Sequence, residues 1–518
     1  MRRTHLNTVA LAIVIGLSLL TQARSASPSV LSPSDASLLG LEQAWGINLQ
    51  VGAGPDLIDV TLHVDHKRSV KYIDIMEGET LLWRRSVDSL DTQTGLAMGE
   101  ELVRKQAERE LLFLKARGKT GTIKETEVPR IWIYALGSRG TVQAIDAETG
   151  ETKWVARAGN PEYPKYDLAV NDDYVAFISG ADLIQLEAET GDIVEIEPTT
   201  TIPVGSPIMS GEYIVIPTAR GGIEAHHTAD IREPPFLSIT SGNVTARPAV
   251  FSKSSTFAWP TSRNLVYCME TLGKPAELFR IHCDGAVTGM VGTIGKYKMY
   301  FSTDAGYVYG IEATRLGKLL WKASTSEAMY GDTVCFGDQV YATAGSRRLY
   351  AFKADTGVAA WPSPTPNISK VIGVIGDALL VQDTSDRLTV LSAVSGARAA
   401  AAIQSRVHRA VVNHGTDRVY LVSETGYLQC LRIPGRELPE VKFAIERVAK
   451  PKAKDAQPQQ QPANQPKADP FGAGAVDPFG NANPFDGGGA APGADPFGAG
   501  DAGGKDPFGG GGADPFGS

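Results

Sequence analysis

Cysteine is scarce in this chain of 518 residues: Cys268, Cys283, Cys335 and Cys430 are all there is. None forms a Cys-x-x-Cys or Cys-x-x-Cys-His spacing, so zinc ribbons, thioredoxin-type redox chemistry and covalent haem attachment lack their residues. No two cysteines are adjacent, and none stands near the N-terminal leader, where a lipid anchor would need one. Cys268 and Cys430 fall in predicted strands, where a small buried thiol is expected. A Cys268–Cys283 bridge stays open, because sequence alone does not fix the distance between two sulfurs. Basic charge is also short. Lys and Arg number 50 against 58 Asp and Glu, a net charge of −8, with no basic stripe. That excludes nucleic acid as a partner, since phosphate binding needs clustered cations. Gly-x-Ser-x-Gly, His-Glu-x-x-His and Walker patterns are missing, and with them the commonest hydrolase, metalloprotease and nucleotide-binding signatures. After residue 20 no apolar run is long enough to cross about 30 Å of hydrocarbon, so the chain is expected not to span a membrane.

What is present begins with "MRRTHLNTVALAIVIGLSLLTQARSASPS". Arg2 and Arg3 precede twelve largely apolar residues at 9–20, followed by Thr21 and Ala23 at the −3 and −1 positions of a cut after Ala23. This is the layout of a secretory signal peptide. It assigns 1–23 to the signal and 24–40 to a linker, and it predicts an exported protein, periplasmic or extracellular.

The body of the chain repeats one hairpin. "AIDAETGETKW" (144–154) returns as "QLEAETGDIVE" from Gln185, "AFKADTGVAAW" from Ala351 and "VLSAVSGARAA" from Val390. The turn glycines Gly150, Gly191, Gly317, Gly357, Gly396 and Gly435 are 39 to 41 residues apart, save for one gap of three steps between 191 and 317. A period near forty built from short strands predicts an all-β fold, a β-propeller of four-stranded antiparallel blades. Glycine supplies the positive φ of the turns, Thr149 and Thr356 precede it, and Asp146 and Asp355 are placed to accept backbone N–H groups ahead. Trp45, Trp83, Trp154, Trp321 and Trp361 end outer strands, where a large stiff side chain is expected to pack between neighbouring sheets.

The Ala-x-Asp-x-x-Thr-Gly-x-x-x-Trp pattern at 144–154, matched at 351–361 with Lys353 in place of Asp, resembles the pyrroloquinoline-quinone-like propeller repeat. That repeat occurs in quinoprotein dehydrogenases and in the propeller scaffold of the outer-membrane β-barrel assembly machinery. The resemblance runs over about residues 40 to 440 and is carried only by spacing at 202–282. It implies eight blades, although nine candidate hairpins can be counted, one of them "VKYIDIMEGETLLWRR" (70–85). "LEQAWGINLQ" (41–50) resembles a detached tryptophan strand that would complete the final blade. The propeller is thus expected over 41–445.

Two segments depart from the repeat. "GEELVRKQAERELLFLKARGKTG" places Val103, Ala107, Leu111 and Leu114 on one face, predicting an amphipathic helix within about 95–118 that packs on the propeller rim. From 446 the chain becomes rich in Gly, Pro and Ala and reads as a disordered tail. Asp/Asn-Pro-Phe recurs there, ending at Phe471, Phe479, Phe485, Phe497, Phe508 and Phe516, six apolar groups that offer candidate multivalent binding.

Chemistry is thin by comparison. The quinoprotein likeness implies, as one alternative, a dehydrogenase using pyrroloquinoline quinone with calcium, but the paired cysteines of such enzymes are missing here. His226 and His227 are adjacent in a predicted strand, and His63 and His66 are three apart in another. Each pair is therefore expected on opposite faces, unable to share a metal. The reading favoured is an exported, non-catalytic scaffold for protein partners, without cofactor or metal, whose tail acts as a tether. The other alternative is a structural cell-surface protein held together by its Phe repeats.

Overall fold

The computed structural model describes residues 29–441 apart from 90, 92, 93 and 253. The expected signal peptide and the Phe-rich tail lie outside the described residues.

The repeat becomes a set of antiparallel sheets because its strands carry different burdens. Middle strands are buried along most of their length: Thr141–Asp146 is buried at four successive positions, as is Asp182–Glu187, with Gln143 and Gln185 the polar exceptions. Only a strand covered on both faces reads this way. Outer strands such as Thr152–Arg157 instead alternate half-buried and exposed positions, the pattern of an edge with one wet face.

Among the described residues the strands form eight sheets, here blades 1 to 8. Blade 1 covers 57–157, blade 2 169–198, blade 3 208–239, blade 4 249–282, blade 5 292–324, blade 6 334–353, blade 7 368–404 and blade 8 407–432. Strands run outward in chain order within blades 2 to 7, as in the 169–198 sheet, and all pairing is antiparallel. Six sheets have four strands. Blade 6 has three, its outer edge reduced to a single bridge between Phe352 and Ala359.

Each neighbouring pair of blades encloses its own hydrophobic cluster. Tyr134 and Val142 of blade 1 meet Phe177 and Leu186 of blade 2, and the pattern continues through Tyr341 and Trp361 against Leu379 and Val381 between blades 6 and 7. The last cluster joins Tyr420 and Leu428 of blade 8 to Ile133 and Ile145 of blade 1. The sheets therefore form a closed ring of eight, a β-propeller. Closure is also covalently staggered: strand Glu42–Asn48 supplies the outer strand of blade 8, pairing Trp45 with Cys430.

The expected eight blades are present; two expectations, the helix on the rim and the linker, are corrected, and two open points, the ninth hairpin and the Cys268–Cys283 bridge, are settled. The ninth hairpin is not a blade. Strand Leu57–Glu77 runs on for 21 residues, first as the inner strand of blade 1 and then, past a register shift at Val64/Ser69, as the centre of a three-stranded extension with Thr80–Ser86 and 122–129. The extension rises from the ring face that carries the Thr-Gly turns. Helix Gly99–Ala116 packs on it, not on the rim, burying Val103, Ala107 and Leu114 against Ile73 and Ile75. The supposed linker at 24–40 is structured from Val30 onward. Val30, Leu31 and Leu39 fill the space between blades 7 and 8, around the short helix Pro33–Leu38 that Ser32 caps. Finally, Cys268 and Cys283 are free thiols within one cluster between blades 4 and 5.

All four thiols are buried, and burial pushes Cys268 and Cys283 up to about 12, so little thiolate forms near neutrality. Native protein is expected to release almost no thionitrobenzoate from Ellman's reagent, and four equivalents in guanidinium. Rapid reaction of the native protein would contradict this packing.

Candidate functional site

The turn and tryptophan residues come together, blade against blade. The indole Nε1 of Trp154 donates to the Ala188 carbonyl at 3.0 Å, and its ring lies against Gly191 of blade 2. The same arrangement joins Trp45 to Ala147 and Gly150, Trp321 to Ala354 and Gly357, and Trp361 to Ala393 and Gly396. Glycine is required twice over at these turns. Gly357 has φ 68°, and a methyl group on it would sit 2.4 Å from the Trp321 ring. Gly317 takes the same place under Phe279, an aromatic that the tryptophan pattern does not find. Trp83 does not join this set. It lies on the extension, packed with the long helix, because its hairpin never became a blade.

Asp146 accepts the N–H groups of Glu148 and Thr149 at 3.0 and 2.9 Å, and Thr149 accepts that of Glu151. Thr356 repeats the Thr149 contact with Val358. Asp355 does not repeat the Asp146 role. Lys353 holds that position, so Asp355 projects one turn further and pairs with Lys298 of blade 5 at 2.6 Å.

Where no aromatic docks, buried polar groups join the blades. Between blades 2 and 3, Gln185 donates to the Thr228 carbonyl, replacing the indole bond. Beside it lies a pair that sequence did not single out as a unit. Glu224 accepts from Thr200 N, Thr201 N and Thr201 Oγ1, and meets His226 Nε2 at 2.8 Å, while His226 Nδ1 faces the Ile231 carbonyl at 3.0 Å. Burial alone would raise the Glu224 carboxyl, but these donors overcome it and hold it down at about 2. Both ring nitrogens of His226 thus face oxygen atoms, one a carboxylate and one a backbone carbonyl. His227 points to the opposite face, as expected, towards Glu212. Between blades 8 and 1, the buried Arg418 lies 3.6 Å from Glu148 and 3.1 Å from Asp417. Burial pushes Glu148 up to about 7, with Arg418 opposing the rise and Asp146 and Asp417 adding to it.

Charges also meet at the hub. Asp59 on the inner strand of blade 1 accepts Thr61 Oγ1 and Leu168 N, and lies 3.4 Å from Arg409 of blade 8. Arg247, just before blade 4, reaches the carbonyls of Leu168 and Pro207 and pairs with Asp167. Burial and the Asp167 charge raise the Asp59 carboxyl. Guanidinium groups thus already meet the hub carboxylates.

His63 and His66 are not on opposite faces. The register shift between Val64 and Ser69 breaks the two-residue alternation, and both side chains turn to Asp172 of blade 2. The extension leaves one further feature open to solvent. Leu102, Leu112 and Phe113 of the long helix are exposed, on the side away from its packed face. No helix among the described residues is long and apolar enough to cross a membrane.

Residues 66–247 and 274–453 match the family described as outer membrane protein assembly factor BamB. The chain belongs to that family. Its propeller repeat is therefore the pyrroloquinoline-quinone-like one. A comparison with curated proteins gives no match. Among solved structures, BamB from Moraxella catarrhalis is similar at 16% identity, covering 59% of this chain and 92% of that one with a TM-score of 0.46. The computationally designed Ika8 protein matches at 14% identity over 58% and 93% with a TM-score of 0.45, and the C-terminal WD40 domain of Sif2 at 10% over 59% and 93% with 0.44.

Two outcomes test this account of the BamB-family ring. Trp321→Ala should cost about 3–5 kcal/mol in urea unfolding, whereas Trp83→Ala should leave the main transition of the ring in place; equal losses would contradict the docking. The Glu148 carboxyl keeps its proton to about pH 7 when folded, against an ordinary 4.5. Its contribution to stability therefore falls as pH rises through that window. Glu148→Gln should raise the melting temperature at pH 8 and leave it unchanged at pH 5. A variant that follows the parent at both values would refute the raised carboxyl.

Proposed function

We propose that the protein is an exported, non-catalytic scaffold that holds protein partners in the cell envelope, as its family's description as an outer membrane protein assembly factor suggests. The observation that carries this reading is the extension of blade 1. Nothing in ring closure requires it, since blade 1 already contributes four strands to the ring. It nevertheless builds its own core and presents Leu102, Leu112 and Phe113 outward on a helix whose inner face is satisfied. Exposed apolar side chains interspersed with Lys105 and Arg109 on a projecting helix are a surface that a partner groove or sheet can cover. On this reading the segment 446–518, with its six Phe motifs, serves as a multivalent tether.

Two features weigh against the quinone- and calcium-dependent alternative. Calcium takes six to eight oxygen ligands, and the hub carboxylates Asp59 and Asp167 face Arg409 and Arg247. The four cysteines are separate and buried, so no vicinal pair exists to lie against a quinone ring.

A photo-crosslinking residue placed at Phe113 should give a discrete adduct with a component of the outer-membrane assembly machinery in intact cells. The same residue at Leu316, exposed in the turn before Gly317 of blade 5, should not, and Leu112→Glu should abolish the adduct from position 113. Absence of an adduct at 113, or retention of quinone absorbance through gel filtration after incubation with quinone and calcium, would overturn the reading.

A further inference from the structure

The three side chains gathered at the foot of the extension form the most concentrated set of metal-ligating groups among the described residues. His63 Nε2 lies 2.8 Å and His66 Nδ1 3.5 Å from the same atom, Asp172 Oδ1, and the three ligand atoms are all within 4.8 Å of one another. The chain is folded locally to bring this about. Asp65, itself buried, accepts the N–H groups of Lys67 and Arg68 at 2.8 Å each, which closes a turn inside the long strand. That turn absorbs the residues between Val64 and Ser69 that have no partner across the sheet, and it swings His66 back over His63. The loop holding Asp172 is pinned in turn: Arg68 donates to the Asp172 carbonyl at 2.7 Å, and Asn171 accepts the N–H groups of Asp173 and Tyr174.

We propose that His63, His66 and Asp172 bind a divalent transition-metal ion of the zinc, nickel or copper class, joining blade 1 to blade 2 below the projecting helix. Two imidazoles and one carboxylate are the donor set that such borderline ions prefer, whereas calcium and magnesium favour oxygen alone. Bonds of about 2.0–2.2 Å around a tetrahedral ion place ligand atoms about 3.3 Å apart. The present separations of 2.8 and 3.5 Å are within small side-chain rotations of that value. His63 and Asp172 are largely buried, while His66 is half exposed and leaves an entry path, with coordination positions remaining for water. The neighbouring cations do not oppose a metal unscreened. Lys67 pairs with Asp173, and Arg68 with Asp65, Asp173 and Glu189. The site bridges the inner strand of blade 1 and a loop of blade 2, so an ion there would hold the root of the extension against the ring.

The test uses the full-length, chelator-treated and tag-free protein. Zinc titrated calorimetrically should bind with a stoichiometry near one. Cobalt should give the visible absorption of a site with nitrogen and oxygen ligands, and saturating zinc should raise the melting temperature. His66→Ala, at the exposed position where folding is least at risk, should weaken zinc binding at least tenfold and remove both the cobalt spectrum and the thermal shift. Asp172→Asn should do likewise. Zinc binding that is missing in the parent, or that survives unchanged in His66→Ala and Asp172→Asn, would overturn the proposal. Its failure would leave the scaffold reading untouched, because that rests on the exposed helix face and is read out by crosslinking at position 113.

Discussion

An indole pressed against a glycine, with its N–H bonded to a carbonyl of the next sheet, sets how one blade meets another. Trp45, Trp154, Trp321 and Trp361 each make this contact. The contact has a direction. The aromatic comes from the outer edge of one sheet, and the glycine from the turn leading to the outer edge of the next. Repeated around a circle, such a one-way contact fixes spacing and rotation together, as head-to-tail interfaces do when they close into rings. The hydrophobic clusters beneath supply most of the burial, and the indole bonds hold those clusters in register.

Where the aromatic contact fails, different chemistry fills the gap. Gln185 reaches Thr228 between blades 2 and 3, and Thr271 donates to the Ser210 carbonyl between blades 3 and 4. The N-terminal segment from Val30 to Leu41 packs between blades 7 and 8. The buried Glu224–His226 pair belongs to the same stretch of the ring. Its carboxylate is satisfied by three backbone and hydroxyl donors besides the imidazole, and such satisfaction is what a buried charge needs to be tolerated.

This division explains what could be read in advance. The repeat was clear wherever indole and glycine meet, because that contact needs specific residue types at fixed spacing. It was faint at 202–282, where Gln185, Thr228 and Thr271 do the joining with residues that carry no periodic signature. Register was beyond reach. Nothing in "LIDVTLHVDHKRSVKYIDIME" announces that one strand would serve both a blade and its extension, so the hairpin at 70–85 stood as a candidate ninth blade and Trp83 as a wedge between blades. The same hidden irregularity defeated the alternation rule at His63 and His66. One clue was available: the Asp65-His66-Lys67-Arg68 run is polar in the middle of an otherwise strand-like stretch, which is where turns form. Asp355 was misplaced by two residues because Lys353 stands where the repeat has its acid.

The borrowed outer strand of blade 8 has a bearing on the order in which the molecule can assemble. Glu42–Asn48 pairs with Tyr427–Arg432, so the ring closes only when strands from the two ends of the propeller sequence meet. Blades 1 to 7 can stack progressively as they emerge, each on the one before. The tryptophan strand meanwhile stays unpaired, an edge open to stray contacts until blade 8 forms. The pairing that seats it turns an open, curling stack into a wheel.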